Sequence, residues 1–357
     1  MSDARSIHVV HGLDLSYFTG KLEAYLRAKG IAYRLEEMTT GSFRELARKT
    51  GVAQMPQVET PDGEWLTDTP RIIDRLESTH ARPSITPRDP VARFIAQFLE
   101  DYGDEHLWRP ALYYRWAFED DSRLMSRRLA RGMMRDVRAP MFLRRRIILE
   151  RQKQRYLRQD GVTAASAPAI EALYLETLAA LEAALARRDF LMGDRPTRAD
   201  FGFFGSMFRH FASDPTPAHI MRARAPRTAA WVARLWALEP RAFADAPEPA
   251  GPPEGLEPIA RRIETDFLPY LAANAAAFAR GARSVRFASG GAPFETPTNP
   301  YRVARFAELG LRWRALDPAA RAACGAWLGA NAGVILDQAP PPPPRAPGVH
   351  DREWRPM

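Results

Sequence analysis

Two short stretches in the first eighty residues place hydroxyl and carboxyl side chains where a helix begins, and one between them places a proline ahead of an extended run. The first is His11-Gly-Leu-Asp-Leu-Ser-Tyr-Phe-Thr-Gly-Lys21. A hydroxyl at a helix start stands among unpaired N–H groups at the positive end of the helix dipole, a setting that favours an anion such as a thiolate. Ser16 has that position. Serine is also a preferred N-cap, and a cap needs no substrate, so the residues alone leave both readings open. The second stretch is Gln54-Met55-Pro56-Gln57-Val58, ahead of an extended run. A proline entering a strand in this way can support a cis peptide that turns the preceding backbone outward to pair with an extended peptide, or it is an ordinary trans proline. Met55 would offer that backbone. The third is Leu66-Thr-Asp-Thr-Pro-Arg-Ile-Ile-Asp-Arg-Leu76. Here Thr69 and local N–H groups could hold a carboxylate while Asp68 meets an ammonium, the two charges of an α-amino acid head group; the competing reading is a plain helix cap.

The elements that must position these residues follow from periodicity. Residues 7–10 form a β-branched run; residues 17–29 place Leu22, Tyr25 and Leu26 on one face and stop at Gly30; residues 32–36 are extended. A short helix over 43–49, two strands around a Pro-Asp-Gly turn, and a last helix over 70–77 with proline in its first turn complete the order βαβ-α-ββα. That order predicts an α/β thioredoxin-like domain over residues 1–80. Pro83 and Pro87 mark a linker over 81–88. Long helical patterns then predict an all-α domain over 89–240. A Pro/Ala/Gly-rich connector at 241–258 leads to a mostly helical extension over 259–335 with a β-hairpin near Ser289-Gly-Gly. Within it, residues 259–280 read as one helix containing Pro269. A proline-rich tail over 336–357 is expected to be disordered.

The order and spacing of the three stretches resemble the glutathione S-transferase family. Ser-Tyr-Phe-Thr-Gly-Lys at the first helix, Gln-Met-Pro-Gln-Val before the third strand and Asp-Thr-Pro-Arg-Ile-Ile before the last helix are similar to the three motifs of its N-terminal domain. Gly193-Asp-Arg-Pro-Thr-Arg-Ala-Asp200 looks like the signature of its helical domain, a capping box in which Thr197 and Asp200 are structural. The resemblance covers about residues 6–238. It implies that Ser16 donates to the glutathione sulfur and stabilises the thiolate, with Tyr17 as the alternative hydroxyl. It implies further that Met55, before Pro56, pairs through its backbone with the cysteinyl unit, while Gln54, Asp68 and Thr69 hold the γ-glutamyl end. Tyr17, Asp68 and Thr69 replace the family's common proline, glutamate and serine. With serine at the aligned position, a mixed disulfide cannot form there, and addition of the thiolate to a small hydrophobic electrophile is the compatible reaction. The acceptor pocket is expected among the aromatic residues Tyr102, Trp108, Tyr113, Tyr114 and Trp116, with two of the five lining a cavity, and Tyr102, Trp108 and Tyr113 are the chosen candidates. The resemblance also implies a homodimer with glutathione as cosubstrate. The alternative, from another class, is a non-catalytic module of the same fold that binds a ligand or a partner protein.

Composition bounds the remaining classes. A single cysteine, Cys324, excludes a CxxC redox pair, a four-thiolate zinc site and an intrachain disulfide. The seven histidines are scattered, and no metal site is expected. The net charge of +8 comes almost entirely from arginine. The clusters at Arg127-Arg128 and Arg144-Arg145-Arg146 are interleaved with apolar residues, so they read as solvated helix faces and no nucleic acid partner is expected. The absence of a long apolar run leads to the expectation of a cytoplasmic protein with no membrane partner.

Overall fold

A computed structural model describes residues 7–341. Strands β1 (His8–Gly12) and β2 (Tyr33–Glu37) flank helix α1 (Tyr17–Lys29), and α2 (Thr40–Thr50) leads to β3 (Gln57–Glu59), β4 (Trp65–Thr67) and α3 (Thr69–Thr79). The sheet order is β2-β1-β3-β4; β1 pairs with β2 in parallel and with β3 antiparallel, and β3 pairs antiparallel with β4. Parallel pairing of β1 and β2 requires a crossover, which α1 provides, and Gly30 ends that helix in the left-handed region at φ 65°. This is the thioredoxin-like α/β fold of the N-terminal part.

The helical layer contains α4 (Pro90–Glu105), α5 (Trp108–Ala117), α6 (Glu119–Arg131), α7 (Met141–Lys153), α8 (Ala167–Ala184), α9 (Arg198–Ser206), α10 (Pro215–Arg224) and α11 (Pro226–Trp236). Helices α7 and α9 each run on into a wide π-helical turn, at Gln154–Arg158 and Met207–Phe211. Helices α4 and α9 pack backbone against backbone. A Cβ on Gly103 would stand 2.6 Å from the Gly202 carbonyl carbon, and a Cβ on Gly202 would stand 2.6 Å from the Glu100 Cα, so only glycine fits at either position.

The C-terminal part consists of α12 (Glu257–Arg262), α13 (Leu268–Ala279), the hairpin β5 (Ser284–Ser289) and β6 (Ala292–Pro297), α14 (Pro300–Arg314), α15 (Pro318–Leu328) and α16 (Ala330–Asp337). The single helix read from the sequence around Pro269 is interrupted by a π-helical turn at Ile263–Phe267. A proline inside a helix removes an N–H and crowds the carbonyl four residues back, and the wider turn immediately before it accommodates both effects. The proline-rich tail expected from residue 336 lies outside the described residues from 342 onward; residues 336 and 337 close α16.

One apolar core runs from Val10 in β1 through Phe98 and Phe203 in the helical layer to Phe267, Trp313 and Leu336 at the C-terminal end. A strip of four acids on α4 ties the three parts together. Lys21 of α1 lies 2.7 Å from Glu100 and also meets Asp104, and all three side chains are buried. Arg198 of α9 donates to Glu100 at 2.6 Å and reaches Asp74 of α3. From α14, Arg305 bonds Asp101 at 2.9 Å and Arg302 bonds Glu105 at 2.8 Å. Burial alone would push the Glu100 carboxyl up, but Arg198 and Lys21 outweigh it and hold it down at about 2.

Candidate functional site

The turn between β1 and α1 is folded by its own side chains. Leu13 N–H donates to the Thr19 hydroxyl at 3.3 Å, and Ser16 N–H donates to the Leu13 carbonyl at 3.0 Å. The Ser16 oxygen accepts from Thr19 N–H at 3.4 Å, a long cap bond that leaves the hydroxyl proton able to donate outward. The capping and anion-holding readings of Ser16 are thus compatible in one geometry. A buried guanidinium fixes the turn from the helical side. Arg115 of α5 donates to the Leu15 carbonyl at 2.9 Å and is itself gripped by both oxygens of Asp214, at 2.7 and 2.9 Å.

The peptide between Met55 and Pro56 is cis, and the β3 ladder begins two residues beyond Met55, where Gln57 faces His11. The Gln57 side chain donates to the Val52 and Gln54 carbonyls at 2.8 and 3.2 Å and so holds the loop that presents Gln54 and Met55. Asp68 is the one non-glycine residue with positive φ among the described residues, at φ 71° and ψ 108°. That conformation costs of order 1–3 kcal/mol. It persists because Asp68 is held on several sides: its carbonyl accepts from Ile72 N–H at 2.8 Å, its carboxylate accepts from the Tyr301 hydroxyl at 2.9 Å, and Arg71 lies 3.6 Å away. Burial pushes the Asp68 carboxyl up, against the pull of Arg305, Tyr301 and Arg71. Thr69 follows as the buried first residue of α3.

These stretches converge on one cavity of about 460 Å³. Ser16, Gln54, Met55, Pro56, Asp68 and Thr69 all line it, together with Trp108. Three candidates are corrected. The Tyr17 ring borders the cavity, but its hydroxyl donates to the Gly103 carbonyl, and burial pushes the phenol well above its ordinary pKa. It therefore closes the interface with α4 and has no proton for a ligand. Tyr102 is fully buried among His106, Phe203 and Phe267. Tyr113 turns to α8, where its hydroxyl donates to Glu171 at 2.6 Å. Of the five aromatic residues on α4 and α5, Trp108 and Trp116 reach the cavity. Trp108 stacks on Phe18 and meets Tyr156 edge-on. Thr197 and Asp200 form the capping box at the start of α9, with Thr197 N–H donating to Asp200 at 2.8 Å.

Sequence reasoning missed two groups of lining residues. Thr296, Asn299, Tyr301 and Arg302 come from the C-terminal part and form the wall over Asp68. Arg151, Arg155 and Tyr156 come from α7 and the π-helical turn after it. The only local signal in the first group is Asn299 before Pro300, a helix start whose cap accepts from Arg302 N–H at 3.2 Å. Nothing local tells that this start lands on Asp68, more than two hundred residues away. Among the described residues, no cluster of histidine, cysteine and carboxylate residues could hold a metal ion, and no helix is long and apolar enough to cross a membrane.

The family model for the glutathione S-transferase N-terminal domain matches residues 10–84, and that for the glutathione S-transferase C-terminal domain matches residues 149–239. Over these two stretches the chain is similar to the two domains of the glutathione S-transferase family. Glutathione S-transferase U7 of Arabidopsis thaliana is 28% identical over 102 residues, which is 28% of this chain and 45% of the relative, so the chain spans less than half of that relative's length. Among solved structures, a GST-like protein from Pseudomonas syringae is 19% identical, with 64% of this chain and 66% of that chain covered and a TM-score of 0.44. A glutathione S-transferase from Methylobacterium radiotolerans, solved in complex with glutathione sulfonate, is 21% identical, with 69% and 96% covered and a TM-score of 0.39.

Proposed function

We propose that this protein is a glutathione transferase that adds the glutathione thiolate to a small electrophile held against Trp108 and Trp116, with Ser16 donating to the sulfur. The observation that carries the reading is the convergence of Ser16, Met55 and the Asp68-Thr69 pair on one cavity. The reading takes them as a thiolate donor, an extended-backbone partner and a head-group site for a γ-glutamyl tripeptide. A hydroxyl at the N-terminus of α1 lowers the pKa of a bound thiol through its hydrogen bond and the helix dipole, which raises the thiolate fraction near neutral pH. The tripeptide then serves as cosubstrate and no metal enters the reaction. The family resemblance supports a homodimer and a cytoplasmic setting as part of the same reading.

One observation favours the second reading, a binding module without turnover. The Asp68 carboxylate already accepts from Tyr301 and lies near Arg71, so an incoming ammonium must share it. Calorimetry with glutathione on the wild type, Thr69→Ala and Ser16→Ala, followed by the ultraviolet thiolate band of the bound tripeptide against pH, separates the two. Binding that weakens in Thr69→Ala, with a thiolate band that shifts to higher pH in Ser16→Ala, supports the transferase. Absence of binding at millimolar glutathione supports the module.

A further inference from the structure

Charge on the hairpin formed by α6 and α7 is one-sided. Between Ser122 and Glu150 the chain carries nine arginines, no lysine and a single acid, Asp136. Arg123 and Arg128 pair with Glu119 and Asp14. Arg135, Arg144 and Arg145 bond carbonyls or the Ser126 hydroxyl, which occupies their N–H groups and leaves their charge in place. Arg127, Arg131, Arg138 and Arg146 are exposed and make no hydrogen bond or ion pair among the described residues. Asp136 is itself engaged, accepting from Gly41 N–H at 2.7 Å.

Apolar side chains stand among these cations. Of the six large apolar side chains exposed among the described residues, three belong to this hairpin: Leu124, Phe142 and Leu143. Single exposed apolar residues are ordinary, but a cluster marks a contact surface. Phe142, 73% exposed, and Leu143 lie in the first turn of α7. Arg146 follows Phe142 by one turn on the same helix face, and Arg138 precedes it in the connection from α6. This end of the hairpin is tied down from within: the Met133 carbonyl accepts from Thr40 N–H at 2.7 Å, and Arg144 donates to the Met134 carbonyl at 3.0 Å. The sequence alone reads the arginines as solvated helix faces; the exposed ring and leucines beside them are what packing adds.

We propose that this hairpin docks on an anionic lipid surface, with Phe142 and Leu143 entering the headgroup layer and the arginines around them meeting lipid phosphates and carboxylates. An aromatic and an aliphatic side chain ringed by arginine fit such a surface. Among the described residues no helix is long and apolar enough to cross a membrane, so the contact is peripheral. A second copy of the chain is a poor occupant, because a two-fold contact sets the same cations against one another. Protein partners are held in register by complementary charge patterns, whereas this end offers almost a single sign. Duplex nucleic acid would engage the arginines and leave Phe142 and Leu143 unused. The proposal departs from the expectation of no membrane partner. It does not rest on the transferase reading, since Phe142, Leu143, Arg131 and Arg146 lie outside the cavity.

The test sediments the full chain with vesicles of phosphatidylcholine alone and of phosphatidylcholine mixed equally with phosphatidylserine. The expected result is binding to the mixed vesicles only, falling as salt rises. Arg131→Gln and Arg146→Gln should each weaken it roughly fivefold, and Phe142→Ser roughly tenfold. Thermal melts of the three variants should match the wild type, because these side chains are exposed. No binding to the mixed vesicles at low salt overturns the proposal, and so does equal binding to both kinds. Binding that Phe142→Ser leaves unchanged is adhesion by charge alone and overturns it too. A short DNA duplex bound more tightly than the mixed vesicles, with the same dependence on Arg131 and Arg146, reassigns the hairpin to nucleic acid. A second readout is Phe142→Cys carrying an environment-sensitive fluorophore, with Cys324 buried and out of the label's reach. A blue shift on the mixed vesicles is expected, and an unshifted spectrum on vesicle-bound protein overturns the insertion. A wild type that binds no glutathione defeats the transferase reading and leaves this test intact.

Discussion

In the transferase reading, Ser16 combines two jobs that compete in most helices. Its oxygen accepts the cap bond while its proton stays available, and the length of that bond, 3.4 Å, means the cap is weak. Ser16→Ala should therefore leave glutathione affinity little changed, lower turnover by roughly a hundredfold as for loss of one donor to a reacting anion, and cost at most about 1 kcal/mol of stability. Calorimetry, stopped-flow turnover and thermal melts check the three together, and a large loss of stability with unchanged turnover would assign the residue to the fold alone. Asp68 is the other residue whose partners decide the chemistry. Asp68→Asn should weaken glutathione about tenfold by removing one charge-assisted bond to the ammonium. Tyr301→Phe should act in the opposite direction, because it returns an acceptor oxygen to the ligand. Calorimetry that finds Tyr301→Phe weaker than wild type would show the tyrosine helping to bind the tripeptide.

At the scale of elements, the start of α9 is where one side chain organises several others. Asp200 accepts from Thr197 N–H at 2.8 Å, Leu191 N–H at 2.9 Å and the Trp231 indole at 3.1 Å, all within the buried core. Asp200→Ala orphans these donors and should destabilise by roughly 2–4 kcal/mol. Thr197→Ala removes only the cap and should cost about 1 kcal/mol. Denaturant unfolding followed by fluorescence measures both. Because neither residue reaches the cavity, glutathione affinity in the folded variants should match the wild type. The neighbouring crossing of α4 and α9 depends on Gly103 and Gly202, and it is this close approach that brings Arg198 to Glu100.

Across the whole molecule, the acid strip of α4 is the shared anchor of all three parts. Glu100 is ionised far below the ordinary range, so the stability it contributes is complete above pH 4.5 and is lost as pH falls toward 2. Glu100→Gln should lower the melting temperature at neutral pH and also flatten its fall between those two pH values, since the charge being titrated is gone. Removing one partner of a buried pair costs about 3–5 kcal/mol, so Arg305→Met should destabilise the chain by that order and loosen the wall over Asp68. Limited proteolysis of α14 in that variant measures the loosening, and a cleavage pattern identical to wild type would show the wall held by its apolar core alone.

How much of this was legible in the sequence differs by range. The βαβ opening, the two hydroxyl- and carboxyl-bearing turns, the Met55-Pro56 turn and the capping box of Thr197 and Asp200 rest on contacts within a few residues, and periodicity, prolines and caps encode such contacts locally. The sequence alone therefore determined the fold class, and the resemblance of these stretches to the family's motifs brought Ser16, Met55, Asp68 and Thr69 forward as a set. What only the tertiary structure decided lies across long separations. A tyrosine on an aromatic helix carries no local mark of its partner, so Tyr102 and Tyr113 could not be told from Trp108 until packing turned them toward the core and Glu171. Tyr17 lost its hydroxyl to Gly103, 86 residues on. Tyr301 reached Asp68 across 233 residues, and Arg115 reached Leu15 across 100. Hydrogen bonds and ion pairs of this kind form between whichever groups the folded backbone brings within 3 Å or so, and no spacing along the chain records which groups those will be.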